Sequence, residues 1–224
     1  MPRVTLPPGQ RRVEGFPRFG THLHHPPPAV ATAPAIEIGG AVAAILSVPI
    51  DELTSLPRRE LTADFHCVAG WTATDLRWEG VAFDTLFRTT IEPMIAPGAT
   101  ITHLEFRGLD GYRSILTIED ALGDDVLIAD RLDGRPLSLD HGAPVRLVSP
   151  QQYGFMSTKH LCRIALHRES PRAFRKTPLI DAHPRARVWE EERHRYLPAK
   201  PLRPVYRMLI PPFRLLSARG SVDD

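Results

Sequence analysis

Asp64-Phe65-His66-Cys67-Val68-Ala69-Gly70-Trp71 is the stretch around which this chain is organised, and it holds one of only two cysteines in 224 residues. Just upstream, Leu61, Ala63 and Phe65 alternate with polar residues, which predicts a β-strand that ends near Cys67. A side chain at the end of a strand can face a cleft instead of the interior of a sheet. Cys67 is therefore a candidate functional residue.

Cys67 has three interpretations when it is considered alone. Cysteine is among the residues most often buried as a small hydrophobe, and by base rate this interpretation is favoured. A nucleophilic thiol needs a histidine base, but adjacent residues of a strand point to opposite faces, which leaves His103 or His141 instead of His66. A thiolate also binds soft or intermediate metals. The residues themselves leave these alternatives open.

Composition predicts an ordinary globular protein, with 42% hydrophobic and 24% charged residues. A chain of this length buries enough surface to fold without disulfides, and two cysteines do not make a disulfide framework. We therefore expect reduced thiols and a cytoplasmic location. No stretch reaches the roughly 18 consecutive apolar residues of a membrane span, and no signal peptide is recognisable at the N-terminus.

The net charge of +2 is too small to predict binding to nucleic acid. Residues 168–224 are more basic than the rest, with 13 Lys and Arg against 7 Asp and Glu. Such a tail could contact an acidic partner or RNA, but a solvated arm is the simpler interpretation. No RNA-binding motif with interleaved aromatic residues is present, so no nucleic-acid partner is expected.

The chain divides into three predicted parts: a proline-rich N-terminal arm (1–35) that lines a cleft, a core domain (36–167), and a basic, proline-rich C-terminal arm (168–224) with one helix at 185–196. Many short strand patterns and few short helices alternate in the core, without a βαβ glycine fingerprint. This pattern predicts a β-rich α+β fold. The predicted strands lie within 35–46, 58–65, 99–106, 112–117, 126–129 and 145–148.

Two loops in the second half of the core carry groups that suit an anion. In Asp140-His141-Gly142-Ala143-Pro144-Val145-Arg146, the imidazole and the guanidinium are donors that match a phosphate, although an ordinary strand entry fits equally well. In Gly154-Phe155-Met156-Ser157-Thr158-Lys159, backbone N–H groups, two hydroxyls and an ammonium are close in sequence. The spacing is not that of a Walker A loop, so this second signal is weak alone.

These stretches occur in one order over some 130 residues, from about residue 36 to residue 166. Together they resemble the molybdopterin-binding domain of the sulfite oxidase family, which includes sulfite oxidases, assimilatory nitrate reductases and bacterial methionine-sulfoxide reductase catalytic subunits. The resemblance rests on Gly39-Gly40, the approach over 53–60, Cys67 with Gly70-Trp71, Trp78-Glu79-Gly80-Val81, Asp110-Gly111-Tyr112, His141 to Arg146, and Tyr153-Gly154 with Ser157-Thr158-Lys159.

The resemblance implies a β-rich sulfite-oxidase-type molybdopterin-binding fold and a molybdenum–molybdopterin cofactor, a single pyranopterin dithiolene that holds the metal. It implies that Cys67 is the protein thiolate on the metal and a catalytic residue. We also assign Tyr153, as a second catalytic residue, and Gln152 to the substrate pocket. The cofactor-binding residues that the resemblance implies, besides Cys67, are Thr21, His22, His141, Arg146, Ser157, Thr158 and Lys159.

The implied function is an oxidoreductase that moves an oxygen atom to or from a small-molecule substrate. Electrons would be exchanged with a separate electron-transfer protein or a membrane redox subunit. No arginine lies between Cys67 and Arg77, which argues against the sulfite oxidases' own oxyanion substrate. The chain shows no haem domain, dimerisation domain or twin-arginine leader, so a compact stand-alone relative is expected.

Two other functions remain at this point. A thiol hydrolase would use Cys67 with His141 and would be active without metal. A non-catalytic relative would keep the fold as an interaction module and dock through the basic C-terminal arm.

Overall fold

Two β-sheets form the centre of the molecule in the computed structural model, which describes residues 5–19, 25–171 and 181–221. The strands of this described part are β1 (Arg11–Arg12), β2 (Ala35–Gly40), β3 (Leu46–Pro49), β4 (Arg58–His66), β5 (Trp71–Ala82), β6 (His103–Gly108), β7 (Arg113–Thr117), β8 (Leu127–Leu132), β9 (Arg135–Pro136), β10 (Arg146–Val148) and β11 (Leu161–His167). The α-helices are α1 (Ile50–Thr54), α2 (Phe83–Leu86), α3 (Ile118–Ala121), α4 (Ala199–Met208) and α5 (Ile210–Gly220).

The first sheet contains the hairpin that carries Cys67. Its order is β1-β5-β8-β10, with β4 paired to β5 and β9 paired to β8. Strands β4 and β5 are antiparallel from Arg58↔Val81 to His66↔Thr72, and residues 67–70 form the turn. The strand predicted at 58–65 is confirmed, but the break predicted at 70–72 is wrong. The chain turns tightly there, and pairing resumes at once with Trp71.

The turn closes through two backbone hydrogen bonds that place Cys67 at its first position. The Cys67 N–H donates to the Trp71 carbonyl (2.8 Å), and the Gly70 N–H donates to the Cys67 carbonyl (2.9 Å). Gly70 has φ +101°, a value that glycine adopts without the steric cost of a side chain.

The second sheet has the order β3-β2-β11-β6-β7, and only β2 with β11 is parallel. The strand predicted within 35–46 is present as β2, which forms a hairpin with β3 and places Ile36 opposite Val48. Gly40 has φ +85°, and a Cβ there would collide with the backbone of Leu166 on β11. This close approach explains why the position holds glycine.

The hydrophobic core consists of two clusters, and the candidate site lies on the smaller one. The larger one packs the second sheet against the short helices, around side chains such as Ile38, Phe83 and Phe106. The smaller one contains Cys67 and Trp78 and is backed by the first sheet. The candidate site is built on this smaller cluster.

The helix predicted at 185–196 is wrong. Ala186 and Glu191 have φ of +52° and +56°, which side-chain-bearing residues do not adopt within a right-handed helix. This segment is held by bridges to other parts of the chain, Gln152↔Arg187 and Ala182↔His194. The helices of the described C-terminal region are α4 and α5.

Among the described residues, no helix combines the length and the hydropathy that a bilayer crossing demands.

Candidate functional site

Cys67 is buried at the β4–β5 turn, with 7% of its surface exposed. Its sulfur accepts a hydrogen bond from the Ala69 N–H at 3.4 Å. Burial raises the pKa of the Cys67 thiol to about 12, and the Ala69 N–H and the Arg193 guanidinium oppose that rise. A thiol with this pKa is a poor nucleophile at neutral pH. A metal cation bound at the sulfur would stabilise the thiolate.

Residues of both arms hold this turn. The Gln10 amide donates to the Cys67 carbonyl (3.1 Å). Arg193, which is 1% exposed, donates to the carbonyls of Val68 and Pro8. The turn is therefore fixed from outside the hairpin, by contacts between residues that are far apart in sequence.

His66 is not the partner of the Cys67 thiol. Its Nδ1 lies 2.9 Å from the Thr72 hydroxyl, which itself donates to the side-chain amide oxygen Oε1 of Gln10 (3.1 Å). The Thr72 oxygen therefore accepts from a protonated Nδ1 of His66. This arrangement agrees with the prediction that the His66 side chain leaves the strand on the face opposite Cys67.

Arg146 is the centre of a buried cationic pocket. Its guanidinium donates to the carbonyls of His141 (2.9 Å) and Ser157 (3.2 Å), so it joins the two loops predicted to bind an anion. Its Cζ lies 5.3 Å from the ring centres of Phe65 and Trp78. No carboxylate of the described residues pairs with it, and burial lowers its pKa to about 9.

His141 and Lys159 extend the same pocket. Burial lowers the pKa of Lys159 to about 7, and repulsion by Arg146 adds to this effect. Its ammonium donates to the carbonyl of Asp140 at 2.5 Å. Burial also lowers the pKa of His141 to about 3, and its buried Nδ1 meets no hydrogen-bond partner within the described parts of the chain.

Neither Arg146 nor Lys159 forms an ion pair with a carboxylate of the described residues, and the neutral His141 imidazole beside them has an unused nitrogen. Buried charges are costly unless they are paired, so the pocket formed by His141, Arg146 and Lys159 fits an anion such as a phosphate. A Cβ on Gly142 would approach Lys159 Cβ to 3.0 Å, so the glycine allows the two loops to come together.

The hydroxyls of Ser157 and Thr158 are used within the protein. The Ser157 oxygen accepts from the Ser149 N–H at 3.2 Å. The Thr158 hydroxyl lies 2.7 Å from that of Ser114. Ser157 joins the pocket through its carbonyl, which Arg146 binds, whereas the Thr158 hydroxyl bonds to residues of strands β6 and β7.

Tyr153 and Gln152 differ in whether their polar side-chain atoms are hydrogen-bonded within the protein. The Tyr153 hydroxyl is buried and has no partner in good hydrogen-bond geometry among the described residues, although Gln10 lies near it. The Arg193 guanidinium lies 5.1 Å from the centre of the Tyr153 ring. The Gln152 amide accepts from the Ser149 hydroxyl (2.9 Å) and donates to the Arg185 carbonyl (2.6 Å), so both of its atoms are used.

The N-terminal arm contributes two residues that the sequence did not indicate. Thr21 and His22, predicted to bind the cofactor, lie outside the described residues. A few positions upstream, the Phe16 ring stacks on His141 with 4.7 Å between ring centres. Arg18 Nε lies 3.3 Å from the Asp140 carboxylate. The signal that could have found them is a pair of aromatic residues around Arg18 in a proline-rich arm.

Residues 24–175 match the family described as the oxidoreductase molybdopterin binding domain. The chain belongs to this family. The predicted sulfite-oxidase-type fold, the molybdopterin cofactor and the oxidoreductase class are thereby confirmed.

Relatives of this family extend the comparison. The chain is 30% identical over 159 residues to an uncharacterized oxidoreductase, YuiH, of Bacillus subtilis (strain 168), which covers 70% of this chain and 76% of that protein. It is 29% identical over 175 residues to the protein-methionine-sulfoxide reductase catalytic subunit MsrP of Xanthomonas axonopodis pv. citri (strain 306). That match covers 70% of this chain and 53% of MsrP, so the chain spans about half the length of MsrP.

A solved structure supports the fold. The sulfane dehydrogenase SoxCD from Paracoccus pantotrophus superposes with a TM-score of 0.53 at 24% identity. The superposition covers 61% of this chain and 38% of that chain. This superposition agrees with two mixed sheets and few short helices.

The described residues fit the family's cofactor on two observations. A buried cationic pocket with an unpartnered imidazole nitrogen suits the terminal phosphate of the pterin. A buried thiol at the adjacent hairpin turn suits a metal ligand. Both belong to one region, because Phe16 and Phe65 pack against the cluster of Cys67 and also lie beside Arg146.

Proposed function

We propose that this molybdopterin-binding oxidoreductase transfers an oxygen atom to or from a small substrate, with Cys67 as the thiolate ligand of molybdenum. The observation that carries the proposal is that a buried thiol lies on the same aromatic cluster as the buried Arg146, which has no carboxylate partner among the described residues. The cofactor, when bound, supplies two-electron redox chemistry and oxygen-atom transfer.

The side chains of this chain have binding and protonation roles. Cys67 binds the metal as a thiolate, so its proton leaves when the site is loaded. Arg146 and His141 hold the phosphate as donors. Lys159, whose pKa is about 7 without an anion, takes up a proton when the phosphate binds beside it.

Several assignments in this site are parts of the same proposal. Thr21 and His22 bind the pterin from the N-terminal arm, and Ser157 and Thr158 shape the phosphate loop. Tyr153 is assigned to the substrate pocket, and its buried hydroxyl has no well-placed partner among the described residues. Phe16 and Arg18 add to the wall of the phosphate pocket through His141 and Asp140.

The relatives support oxygen transfer and a separate redox partner. MsrP is named a methionine-sulfoxide reductase, and sulfoxide reduction removes an oxygen atom from sulfur. It is also named a catalytic subunit, which agrees with electron exchange through another polypeptide. We propose an electron-transfer protein or a membrane redox subunit as this partner. The cytoplasmic location and the division into two arms and a core stay predictions.

A Cys–His hydrolase is not favoured by the geometry. His66 is bonded to Thr72, and the His141 ring is stacked on Phe16. Burial holds the pKa of Cys67 near 12, far from that of an activated thiol.

Metal and pterin content test the proposed function directly. The full chain is produced in a host that makes the cofactor, and molybdenum is measured by mass spectrometry together with the fluorescence of the oxidised pterin. We expect one molybdenum and one pterin per chain in wild type and in Cys162→Ser, the matched control at the second, half-buried cysteine. Protein without stoichiometric molybdenum and pterin would refute the proposal and favour the non-catalytic relative.

A further inference from the structure

A cavity of about 360 Å³ lies against the Cys67 turn, between the two arms. Its inner wall includes Gly70 and Trp71, which follow Cys67 in the turn. The N-terminal arm closes one side, and α4 and α5 close the other. The volume falls in the range of small-molecule sites, at roughly 300–1,000 Å³.

The walls of this cavity combine apolar surface with arginine side chains. Trp71, Phe19 and Ile210 supply the apolar part, and Phe19 meets Trp71 edge-on with 5.6 Å between ring centres. Four arginines supply the charge: Arg12, which is paired with Asp75 at 3.5 Å, and Arg11, Arg207 and Arg214. Such walls match a ligand with an apolar body and one anionic group.

The charge of three of these arginines is not balanced by nearby acids. No carboxylate among the described residues forms an ion pair with Arg11, Arg207 or Arg214. Glu191, an acid of the same C-terminal arm, is already paired with Arg203 at 2.6 Å and with Arg193 at 3.3 Å.

Arg207 in particular keeps a donor that no described residue uses. One of its terminal nitrogens donates to the Gly9 carbonyl at 3.2 Å, while its buried Nε has no hydrogen-bond partner among the described residues. Burial and the neighbouring cations, Arg11 first among them, lower its pKa. A bound anion would accept a hydrogen bond from this donor and would reduce the repulsion between Arg207 and the neighbouring arginines.

We propose that this cavity is a binding site for a small organic anion, a carboxylate or a similar acid on a flat apolar body. The arginines of this cavity and Phe19 lie outside the residues that match the family, 24–175, so the family match does not assign them a role. The inference does not depend on the proposed molybdenum chemistry, since the walls are protein groups and the ligand is recognised by charge and shape.

Calorimetric titration of the full chain with benzoate tests the site. Benzamide has the same shape without the charge, and acetate has the charge without the ring. We expect benzoate to bind, benzamide to bind at least about tenfold more weakly, and acetate to bind more weakly than benzoate through loss of apolar burial. Equal binding of benzoate and benzamide, or no binding of benzoate at ~10 mM, would overturn the proposal.

Variants that remove the charge of one arginine test whether benzoate binds in this cavity. Arg214→Gln is the first variant, because Arg214 is exposed and the fold does not rest on it. Arg207→Gln is the second. Each is expected to weaken benzoate about tenfold. Arg219→Gln is the matched control, because Arg219 lies on α5 with Arg214 but does not line the cavity. It should leave benzoate binding unchanged. An equal loss in Arg219→Gln, or no loss in Arg214→Gln, would contradict the site.

Discussion

Lys159 shows how burial gives one side chain a pH-dependent role. Its pKa in the folded protein without an anion is about 7, against 10.5 in the unfolded chain. Between these values the unfolded chain binds one more proton at this position, so the contribution to the free energy of unfolding rises with pH across that window. Below about pH 7 both states are protonated, and the penalty of the buried charge is fully present.

A phosphate anion reverses this penalty, because it pairs with the protonated form. We expect inorganic phosphate to raise the melting temperature of cofactor-free protein more at about pH 6 than at about pH 9. Lys159→Met should remove most of that difference, and Lys200→Met, at an exposed position of α4, should not. Scanning calorimetry measures both. Equal stabilisation at the two pH values would contradict an anion pocket at Lys159.

Tyr153 provides a second prediction at the residue scale. Its hydroxyl has no well-placed partner among the described residues, so Tyr153→Phe should change the free energy of unfolding by less than about 1 kcal/mol. If the hydroxyl meets substrate, the same variant should lower kcat/KM with a sulfoxide substrate about tenfold or more.

Tyr112→Phe is the matched control, because the Tyr112 hydroxyl donates to the Phe155 carbonyl at 2.6 Å. This variant should lower stability by roughly 1–2 kcal/mol and leave kcat/KM nearly unchanged. Denaturant unfolding and steady-state kinetics separate the two effects. A large loss of stability in Tyr153→Phe would show that its hydroxyl is a structural donor.

At the scale of elements, the β4–β5 turn depends on one buried cation. Arg193 binds carbonyls of the turn and of the N-terminal arm and pairs with Glu191. Arg193→Met should therefore lower the free energy of unfolding by about 3 kcal/mol, since the carbonyls of Val68 and Pro8 lose their donor and Glu191 keeps only Arg203 as a partner. Arg195→Met, at a more exposed arginine paired with Asp181, should change it by less than about 1 kcal/mol. Similar losses in both variants would refute this role of Arg193.

The core strands could be predicted from the sequence because their alternation is local. Strand β2 and the strand before Cys67 follow from apolar residues at every second position. The start of β5 at Trp71 could not be predicted in this way, because the Gly70 turn interrupts the alternation for only a few residues. Over so few residues, the sequence of a tight turn cannot be distinguished from that of a longer loop.

The C-terminal arm could not be predicted, because distant contacts decide its conformation. Arg185 pairs with Asp120, a residue 65 positions earlier, and this contact competes with the helix that the local pattern favours. Conversely, α4 and α5 form despite Pro201, Pro204, Pro211 and Pro212, which indicated an irregular arm. Three of these prolines fall in the first turns of the helices, where no backbone donor is needed.

For the whole molecule, both arms converge on the site. Arg18 of the N-terminal arm donates to the Ser217 carbonyl of α5, and Arg207 of α4 donates to the Gly9 carbonyl. These contacts join residues about 200 positions apart. The resemblance to a family singled out His141, Arg146 and Lys159, and the structure places these three residues in one buried pocket. The resemblance did not indicate Phe16, Arg18 or Arg193, because they lie outside its span.

The central claim for the whole molecule is that Cys67 completes the sulfur set of molybdenum. X-ray absorption at the molybdenum edge tests it, with wild type, Cys67→Ser and the control Cys162→Ser loaded in the same host. We predict one sulfur neighbour fewer around the metal in Cys67→Ser than in wild type, and an unchanged count in Cys162→Ser. An unchanged sulfur count in metal-loaded Cys67→Ser would contradict the account.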